Sequence, residues 1–318
     1  MNSTRSPEKI TLGCWPTPLQ ELHAIEKLLG TDLRLFMKRD DLAGPAFGGN
    51  KVRKLEYILA DAMQRGCDCI VTGGGTRSNQ TLAAAACAAQ AGLGCYIVVP
   101  ENTKPFVVEL SKAAGAHVHF VPAGQSGKLQ TEINKLVRTL KAEGHRPYGI
   151  ALGAPGPLAI LGYVDALQEI AGQLDFLGLR ADHVFCAGGT GSTYEGLLLG
   201  TKLYSPGTRA TVVSIGRRFR HASTMVKDIE EACQLASLRA KVSENDVSVY
   251  FSAGKGADFP TIKGQQAIKL LAEKEGIFLD PYFTGKAFAG LLELREQDYF
   301  KPGETIVFVH TGGAVSLV

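Results

Sequence analysis

The sequence predicts an α/β fold of two domains, each with a mostly parallel sheet flanked by helices. The chain has 318 residues, more than a single domain usually contains. Short continuous apolar runs alternate along it with longer amphipathic stretches, which is the pattern of buried parallel strands joined by helices. The 37 glycines fall mostly between these segments, as tight turns between strands and helices require.

The predicted elements follow one another in a regular order. The predicted strands are residues 34–37, 69–72, 95–99, 118–121, 184–186, 210–214 and 305–309. The predicted helices include residues 52–63, 79–90, 128–143, 158–173, 194–203 and 261–274. Ligands of such sheets bind beyond the carboxyl ends of the strands, so a site is expected in the turns that follow the strands.

Composition excludes several classes of protein. The formal net charge of +3 is small, and no basic run interleaved with aromatics indicates nucleic-acid binding. No stretch reaches the roughly 18 apolar residues of a membrane helix, and the first 20 residues lack the apolar core of a signal peptide. Seven scattered cysteines indicate reduced thiols, and Cys67 and Cys69 are wrongly spaced for a zinc pair. We therefore expect a cytoplasmic protein without a metal site.

A glycine-flanked lysine follows the first of these predicted strands. Gly48, Gly49 and Asn50 precede Lys51 at the start of a helical pattern. Glycines let the backbone approach another group closely, and a lysine amine held against a pocket can form a Schiff base with an aldehyde. These residues favour a covalently held cofactor on Lys51, and the alternative is a solvated lysine at a helix start.

Two glycine-rich turns each join a predicted strand to a predicted helix. Residues 188–193 can point successive N–H groups at an anion, and the following helix start adds partial positive charge. The stretch lacks the lysine of a P-loop and the acidic partner of a dinucleotide site, so it indicates a phosphate cradle or else a plain tight turn. Residues 73–80 could hold a carboxylate in the same way, although capping by Ser78 needs no ligand.

In this order the motifs resemble those of the fold-type II pyridoxal-phosphate enzymes, the tryptophan synthase β superfamily. More narrowly, the chain is similar to the branch that contains D-cysteine desulfhydrase and 1-aminocyclopropane-1-carboxylate deaminase. The resemblance implies a cofactor between two domains: a small domain of residues 53–160, and a large cofactor-binding domain of residues 1–52 plus 161–318. The matching stretches are residues 16–19, 38–41, 48–51, 53–56, 78–80, 162–164, 189–193, 280–281, 284–286 and 310–313.

The resemblance implies which residues hold pyridoxal 5'-phosphate. Lys51 would carry the cofactor covalently and later move protons at the substrate. Asn79 would hydrogen-bond the ring oxygen. Thr311 would face the pyridine nitrogen with a hydroxyl, which leaves the ring a weaker electron sink and so favours elimination. The phosphate would bind to Gly189, Thr190, Gly191, Ser192 and Thr193.

The resemblance also implies the substrate side of the site. Ser78 would contact the substrate carboxylate or take part in proton transfer. Thr284 and Thr311 match the desulfhydrase pattern rather than that of the cyclopropane-opening deaminases, which disfavours ring opening. The substrate-binding residues would be Arg77, Ser78, Gln80, Lys255, Tyr282, Phe283 and Thr284.

Three positions depart from the family pattern. Phe283 replaces a tyrosine, with Tyr282 one residue earlier, and a phenyl ring can neither donate a hydrogen bond nor move a proton. Lys255 stands in a Gly-Lys-Gly segment in place of a second tyrosine, and Arg77 stands where relatives often have glutamine. If both cations face the pocket, they suit a substrate with a second anion, such as a sulfonate, phosphate or carboxylate. The alternative is that both point to solvent.

The predicted function is that of a pyridoxal-phosphate-dependent lyase. It would convert a small β-substituted amino acid, D-cysteine by resemblance, to pyruvate, ammonia and the leaving group. The alternatives are elimination from an anionic substrate such as cysteate, β-replacement as in cysteine-synthase relatives, and a non-catalytic cofactor-binding sensor. A homodimer is expected because enzymes of this class commonly form one. The handedness of the substrate stays open, since it depends on which face of the cofactor Lys51 and Ser78 occupy.

Overall fold

The computed structural model describes residues 7–30, 32–252, 254–313 and 316. Within them the strands are, in chain order, β1 (Leu19–Glu21), β2 (Arg34–Lys38), β3 (Cys69–Gly73), β4 (Gly94–Pro100), β5 (Ala116–Val121), β6 (Pro147–Gly149), β7 (His183–Gly188), β8 (Arg209–Ser214), β9 (Val249–Phe251) and β10 (Thr305–Val309). The α-helices are α1 (His23–Leu29), α2 (Asn50–Gln64), α3 (Asn79–Gln90), α4 (Pro105–Ala113), α5 (Leu129–Ala142), α6 (Pro157–Phe176), α7 (Ser192–Tyr204), α8 (Ala222–Ala236), α9 (Ile262–Glu275) and α10 (Thr284–Glu296). No helix in this part of the chain is both long and apolar enough to cross a membrane.

The strands form two separate sheets. One has six strands in the order β1-β2-β10-β7-β8-β9, all parallel except β1, which runs antiparallel to β2. The other has four parallel strands in the order β5-β4-β3-β6 and comes from the middle of the chain. The predicted α/β fold with two mostly parallel sheets is therefore confirmed, while the domain boundaries at residues 53 and 160 stay a prediction.

Side chains of the six-stranded sheet alternate between two apolar cores. Phe308 packs with Leu35 on the face that α1, α9 and α10 cover. Its neighbours Val307 and Val309 pack with Phe36 on the opposite face, against α6, α7 and α8. Because successive strand residues point to opposite faces, both faces of β10 are buried and its sequence is continuously apolar.

A buried charge network lies beneath the start of α2. The Arg53 guanidinium donates two hydrogen bonds of 2.8 Å to Asp40 and two of 2.9 Å to Glu169. Lys38 Nζ lies 2.8 Å from Glu169 Oε2, and the Tyr163 hydroxyl donates to Asp40 Oδ2 at 2.8 Å. Burial alone would raise the pKa of Asp40, but Arg53 and Lys38 hold that pKa below its ordinary value. The network ties α2 to β2 and α6, and thereby fixes the helix whose first turn enters the site.

Candidate active site

A cavity of about 410 Å³ lies where the carboxyl ends of β3, β7 and β10 meet the start of α2. Its wall includes residues 74–80 after β3, residues 187–191 at the end of β7 and beyond it, and Thr311 and Gly312 after β10. Lys51, in the first turn of α2, faces the same space. This is the position in which parallel sheets bind their ligands, and the glycine-rich turns noted in the sequence line it.

The glycines before Lys51 allow a close approach of the chain to itself. Gly49 has φ +97°, and a Cβ atom there would lie 2.8 Å from the carbonyl oxygen of Thr311. A Cβ atom on Gly48, with φ +68°, would lie 2.3 Å from the carbonyl oxygen of Asp41. The N–H of Asn50 donates to the Thr311 carbonyl at 3.0 Å. The loop therefore packs directly on the exit of β10.

Gly49→Ala is expected to lower the free energy of unfolding by about 2 kcal/mol or more, from a backbone conformation reserved for glycine plus a forced contact. Urea unfolding measures the change. Gly115→Ala is the matched control, because Gly115 has φ +82° but no atom within 4 Å of the added Cβ. The control substitution should lower the free energy of unfolding by only about 1 kcal/mol. Equal losses in the two variants would contradict the close approach.

Lys51 presents an amine that is easily deprotonated. Its Nζ donates to the carbonyl oxygen of Gly153 at 2.9 Å, and no carboxylate among the described residues pairs with it. Burial lowers the pKa of Lys51 to about 8. A substantial fraction of the amine is therefore neutral near physiological pH, as a nucleophile or a base requires.

The predicted anion cradle adjoins this amine. Gly191, with φ +106°, precedes α7, whose first N–H groups have no partner within the helix. Gly189, Thr190, Gly191 and Thr193 line the cavity, and Asn50 Nδ2 donates to Thr193 Oγ1 at 3.0 Å. Ser192 does not line it: that side chain is buried behind the turn.

Lys54 is a site residue that the sequence reading missed. Its side chain is buried, lines the cavity and donates from Nζ to Ser192 Oγ at 2.9 Å. Burial, together with the charge of Lys51, holds the pKa of Lys54 well below its ordinary value. The signal for it was its spacing, since residues three apart on α2 share one helix face. Lys54 places a second potential cation beside the anion cradle.

The start of α3 forms the opposite wall. Ser78 caps the helix, and its Oγ accepts a hydrogen bond of 3.1 Å from the N–H of Gln80, so the capping alternative is observed. Asn79 also lines the cavity. The Gln80 side chain is buried, and neither its Oε1 nor its Nε2 has a partner among the described residues. A buried unpartnered amide beside a helix N-terminus is suited to a polar, anionic ligand group.

The turn after β10 forms part of the remaining wall. The His310 side chain accepts from the Gly312 N–H at Nδ1 (3.3 Å) and donates from Nε2 to the Phe278 carbonyl (3.0 Å). Burial lowers the pKa of His310, so it is a neutral packed side chain that orients the turn. Thr311, one residue on, lines the cavity next to Gly312.

The Asp280 carboxylate orders the turn that carries the aromatic residues. It accepts hydrogen bonds from the N–H groups of Tyr282 and Phe283 at 2.9 and 2.8 Å, and from both the N–H and the hydroxyl of Thr284. Tyr282, Phe283 and Asp280 line the cavity. Thr284, predicted to bind substrate, does not line the cavity: its side chain is buried, and its hydroxyl donates to Asp280.

The two unusual cations have different positions. Arg77 lines the cavity, with its guanidinium 4.2 Å from the centre of the Tyr282 ring. Lys255 is exposed and is not among the lining residues. The turn that carries Lys255 is bonded to the protein interior: the Nζ of the buried Lys286 donates to the Gly256 carbonyl at 2.7 Å. Of these two cations, only Arg77 therefore lies at the predicted substrate region.

Comparisons with known proteins agree with this geometry. Residues 10–312 match the profile of the family described as "Pyridoxal-phosphate dependent enzyme". The chain is 36% identical to the D-cysteine desulfhydrase of Klebsiella pneumoniae, over 99% of this chain and 97% of the relative. It is 37% identical to a Pyrococcus abyssi protein provisionally named a 1-aminocyclopropane-1-carboxylate deaminase, over 96% and 91%. The crystal structure of an ACC deaminase homologue superposes with a TM-score of 0.88 at 33% identity, covering 98% of this chain and 93% of that one.

Proposed function

This chain belongs to the pyridoxal-phosphate dependent enzyme family and is a lyase that uses pyridoxal 5'-phosphate, and we propose that it catalyses α,β-elimination on a small β-substituted amino acid. D-cysteine is the first candidate, because it is the substrate named in a relative that matches almost the whole chain. The observation that carries the proposal is the shared cavity, which Lys51 lines together with the helix starts of α7 and α3.

The residues of the cavity fit the cofactor. Pyridoxal phosphate supplies an aldehyde for covalent attachment and a ring that draws electrons from the α-carbon of a bound amino acid. Lys51 provides the amine, and the turn at residues 189–191 with the start of α7 provides unpaired N–H groups for the phosphate. Lys54, placed beside that turn, would attract the phosphate when its amine is protonated. Asn79 is the proposed donor to the ring oxygen.

The substrate carboxylate is proposed to bind at the start of α3. Ser78 and the unpartnered amide of Gln80 provide polar contacts there, and the helix N-terminus adds partial positive charge. Lys51, released from the cofactor by the substrate amine, would take the proton from the α-carbon. Its lowered pKa supports this role as a base at neutral pH.

The surroundings of the ring nitrogen support elimination over chemistry that needs a long-lived carbanion. We assign Thr311 to that nitrogen, and a hydroxyl does not hold it protonated as a carboxylate does. The nearby Asp280 carboxylate is already occupied by three N–H groups and the Thr284 hydroxyl. A ring with this weaker electron demand suits a reaction in which the leaving group departs promptly with the electron pair.

The test is to incubate the holoenzyme with D- and L-cysteine and with D- and L-β-chloroalanine, and to measure pyruvate, ammonia and sulfide. Equal amounts of pyruvate and sulfide from D-cysteine are expected. Pyruvate from none of these compounds would reject elimination. If added sulfide suppresses pyruvate and a new amino acid appears, the enzyme is instead a β-replacement synthase.

Covalent attachment of the cofactor should follow the titration of Lys51. When apoenzyme is mixed with pyridoxal phosphate, the rate is expected to rise with pH with a midpoint at about 8 and to level off above that midpoint, because the neutral amine is the nucleophile. The growth of the cofactor absorbance band measures the rate. Nα-acetyllysine, whose side-chain amine is free, serves as the control. Its rate of Schiff-base formation should keep rising towards about pH 10.4. A midpoint equal to that control would contradict the lowered pKa.

A cytoplasmic homodimer is also proposed, in line with the family resemblance. Light scattering on the purified holoenzyme tests the assembly, with about twice the chain mass of 33.9 kDa as the expected result. A mass equal to one chain would exclude the dimer.

A further inference from the structure

Arg77 lines the cavity in the turn between β3 and α3. It directly precedes Ser78, and its guanidinium is stacked 4.2 Å from the Tyr282 ring centre. Its one ion pair among the described residues is a single contact of 3.5 Å to Asp258 Oδ1. Asp258 is 83% exposed and Arg77 only 37% exposed. The stacking orients the guanidinium while leaving most of its N–H donors unused.

The other charged groups of the cavity already have partners or roles. Within the described residues, those that line it besides Arg77 are Lys51, Lys54, Asp258 and Asp280. Lys54 donates to Ser192 beside the anion cradle, and Asp280 is saturated by the turn that it orders. An exposed ion pair such as that of Arg77 contributes about 0–1 kcal/mol. A ligand anion can therefore replace Asp258 at little cost, and Arg77 is the cation that remains for it.

Arg77 is adjacent to the residue proposed to bind the substrate carboxylate. Arg77 and Ser78 are consecutive and both line the same cavity of about 410 Å³, so a group held by Ser78 and a group held by Arg77 can belong to one small molecule. We propose that the cavity accepts amino acids whose β-substituent ends in a sulfonate or phosphate, and that Arg77 binds this second anion. The proposal rests on the proposed elimination and specifies its substrate class.

The reaction balances without an oxidant or reductant. The α-C–H and β-C–X bonds break, the proton goes to the base, and the β-substituent leaves with the bonding electron pair as hydrogensulfite or phosphate. The enamine product takes up a proton at its β-carbon, and one water hydrolyses the resulting imine. The products are pyruvate, ammonium and the released anion.

The kinetic test compares β-chloroalanine, cysteate and O-phosphoserine, in both hands, with the wild-type holoenzyme and with Arg77→Gln. The wild type is expected to release pyruvate from at least one of the two anionic compounds. Arg77→Gln should lower kcat/KM for that compound about 10- to 100-fold, mainly through KM, because a charge-assisted hydrogen bond is lost. The value for β-chloroalanine should change by less than about 3-fold.

Two further variants separate binding from a structural effect. Arg138→Gln is the matched control, because Arg138 is exposed on α5 and does not line the cavity. It should leave all three substrates unaffected. Asp258→Asn should lower KM for the anionic substrate, by up to about 5-fold, because it frees the guanidinium from its weak partner. Equal losses for neutral and anionic substrates in Arg77→Gln would show a structural role and overturn the proposal.

A binding measurement tests the same contact without turnover. Calorimetry compares 3-sulfopropanoate with propanoate, which differ only in the distal sulfonate. The holoenzyme should bind the first about 10-fold or more tightly, and Arg77→Gln should remove the difference. Equal binding of both ligands by the wild type would overturn the proposal. If β-chloroalanine alone yields pyruvate, the substrate class is wrong and the elimination stands; if no compound yields pyruvate, the elimination itself fails.

Discussion

Replacing Lys51 with alanine is expected to abolish covalent cofactor binding and to reduce pyruvate formation on the order of 1,000-fold or more. The side chain is proposed to serve twice, as the attachment point and as the base at the α-carbon. No other lining amine can replace it without rearrangement, since Lys54 is buried and bonded to Ser192. The cofactor absorbance of the purified protein and the rate of pyruvate release measure the two effects.

Borohydride reduction followed by peptide mapping identifies the attached residue in the wild type, and the label is expected on Lys51. Lys269→Ala is the control, because this lysine is exposed on α9 and does not line the cavity. Its cofactor content and activity should equal those of the wild type. A label on Lys54, or a Lys51→Ala protein that keeps more than about a tenth of its activity, would reject the assignment.

The fold was predictable because its strands are buried on both faces. β3, β7 and β10 are continuously apolar and are separated by helical periodicity, so their number and parallel pairing follow from the pattern. β1, β6 and β9 have three residues each and lie at the edges of their sheets. Such short segments bury little surface, and only their pairing with a neighbouring strand defines them. The local sequence pattern carries no information on that pairing, so these three strands were not predicted.

The candidate site was predictable where the local backbone of a motif is enough to place the motif at the cavity. Lys51 is directed by the glycines before it, and Gly189 to Gly191 by the turn into α7. The sequence did not indicate the direction of side chains that depends on distant packing. Ser192 accepts a hydrogen bond from Lys54 of another helix, and Lys255 is exposed on a turn whose next residue, Gly256, accepts a hydrogen bond from Lys286. Motif membership indicates proximity to the site, whereas the direction of each side chain is set by tertiary contacts.

Asp40→Asn is expected to lower the free energy of unfolding by about 3–5 kcal/mol, because it removes one partner from a buried ion pair. Asp40 is fully buried and holds Arg53, Tyr163 and, through its backbone carbonyl, the N–H of Gly49 at 2.6 Å. The loss should also loosen the first turn of α2. Urea unfolding gives the free energy, and the cofactor content of the variant reports on the turn.

The pH dependence gives the same network a second test. The pKa of Asp40 is lower in the folded chain than its ordinary value of 3.8, because Arg53 and Lys38 outweigh burial. Its charge therefore stabilises the fold fully above that value, and this contribution is lost as the pH falls through the folded pKa. The gap in stability between wild type and Asp40→Asn should be constant from neutral pH to about pH 4 and shrink below it. The matched control is Glu109→Gln, which breaks an exposed pair with Lys112 and should cost less than about 1 kcal/mol at any pH. A loss no larger than this control would show that the network does not hold α2 in place.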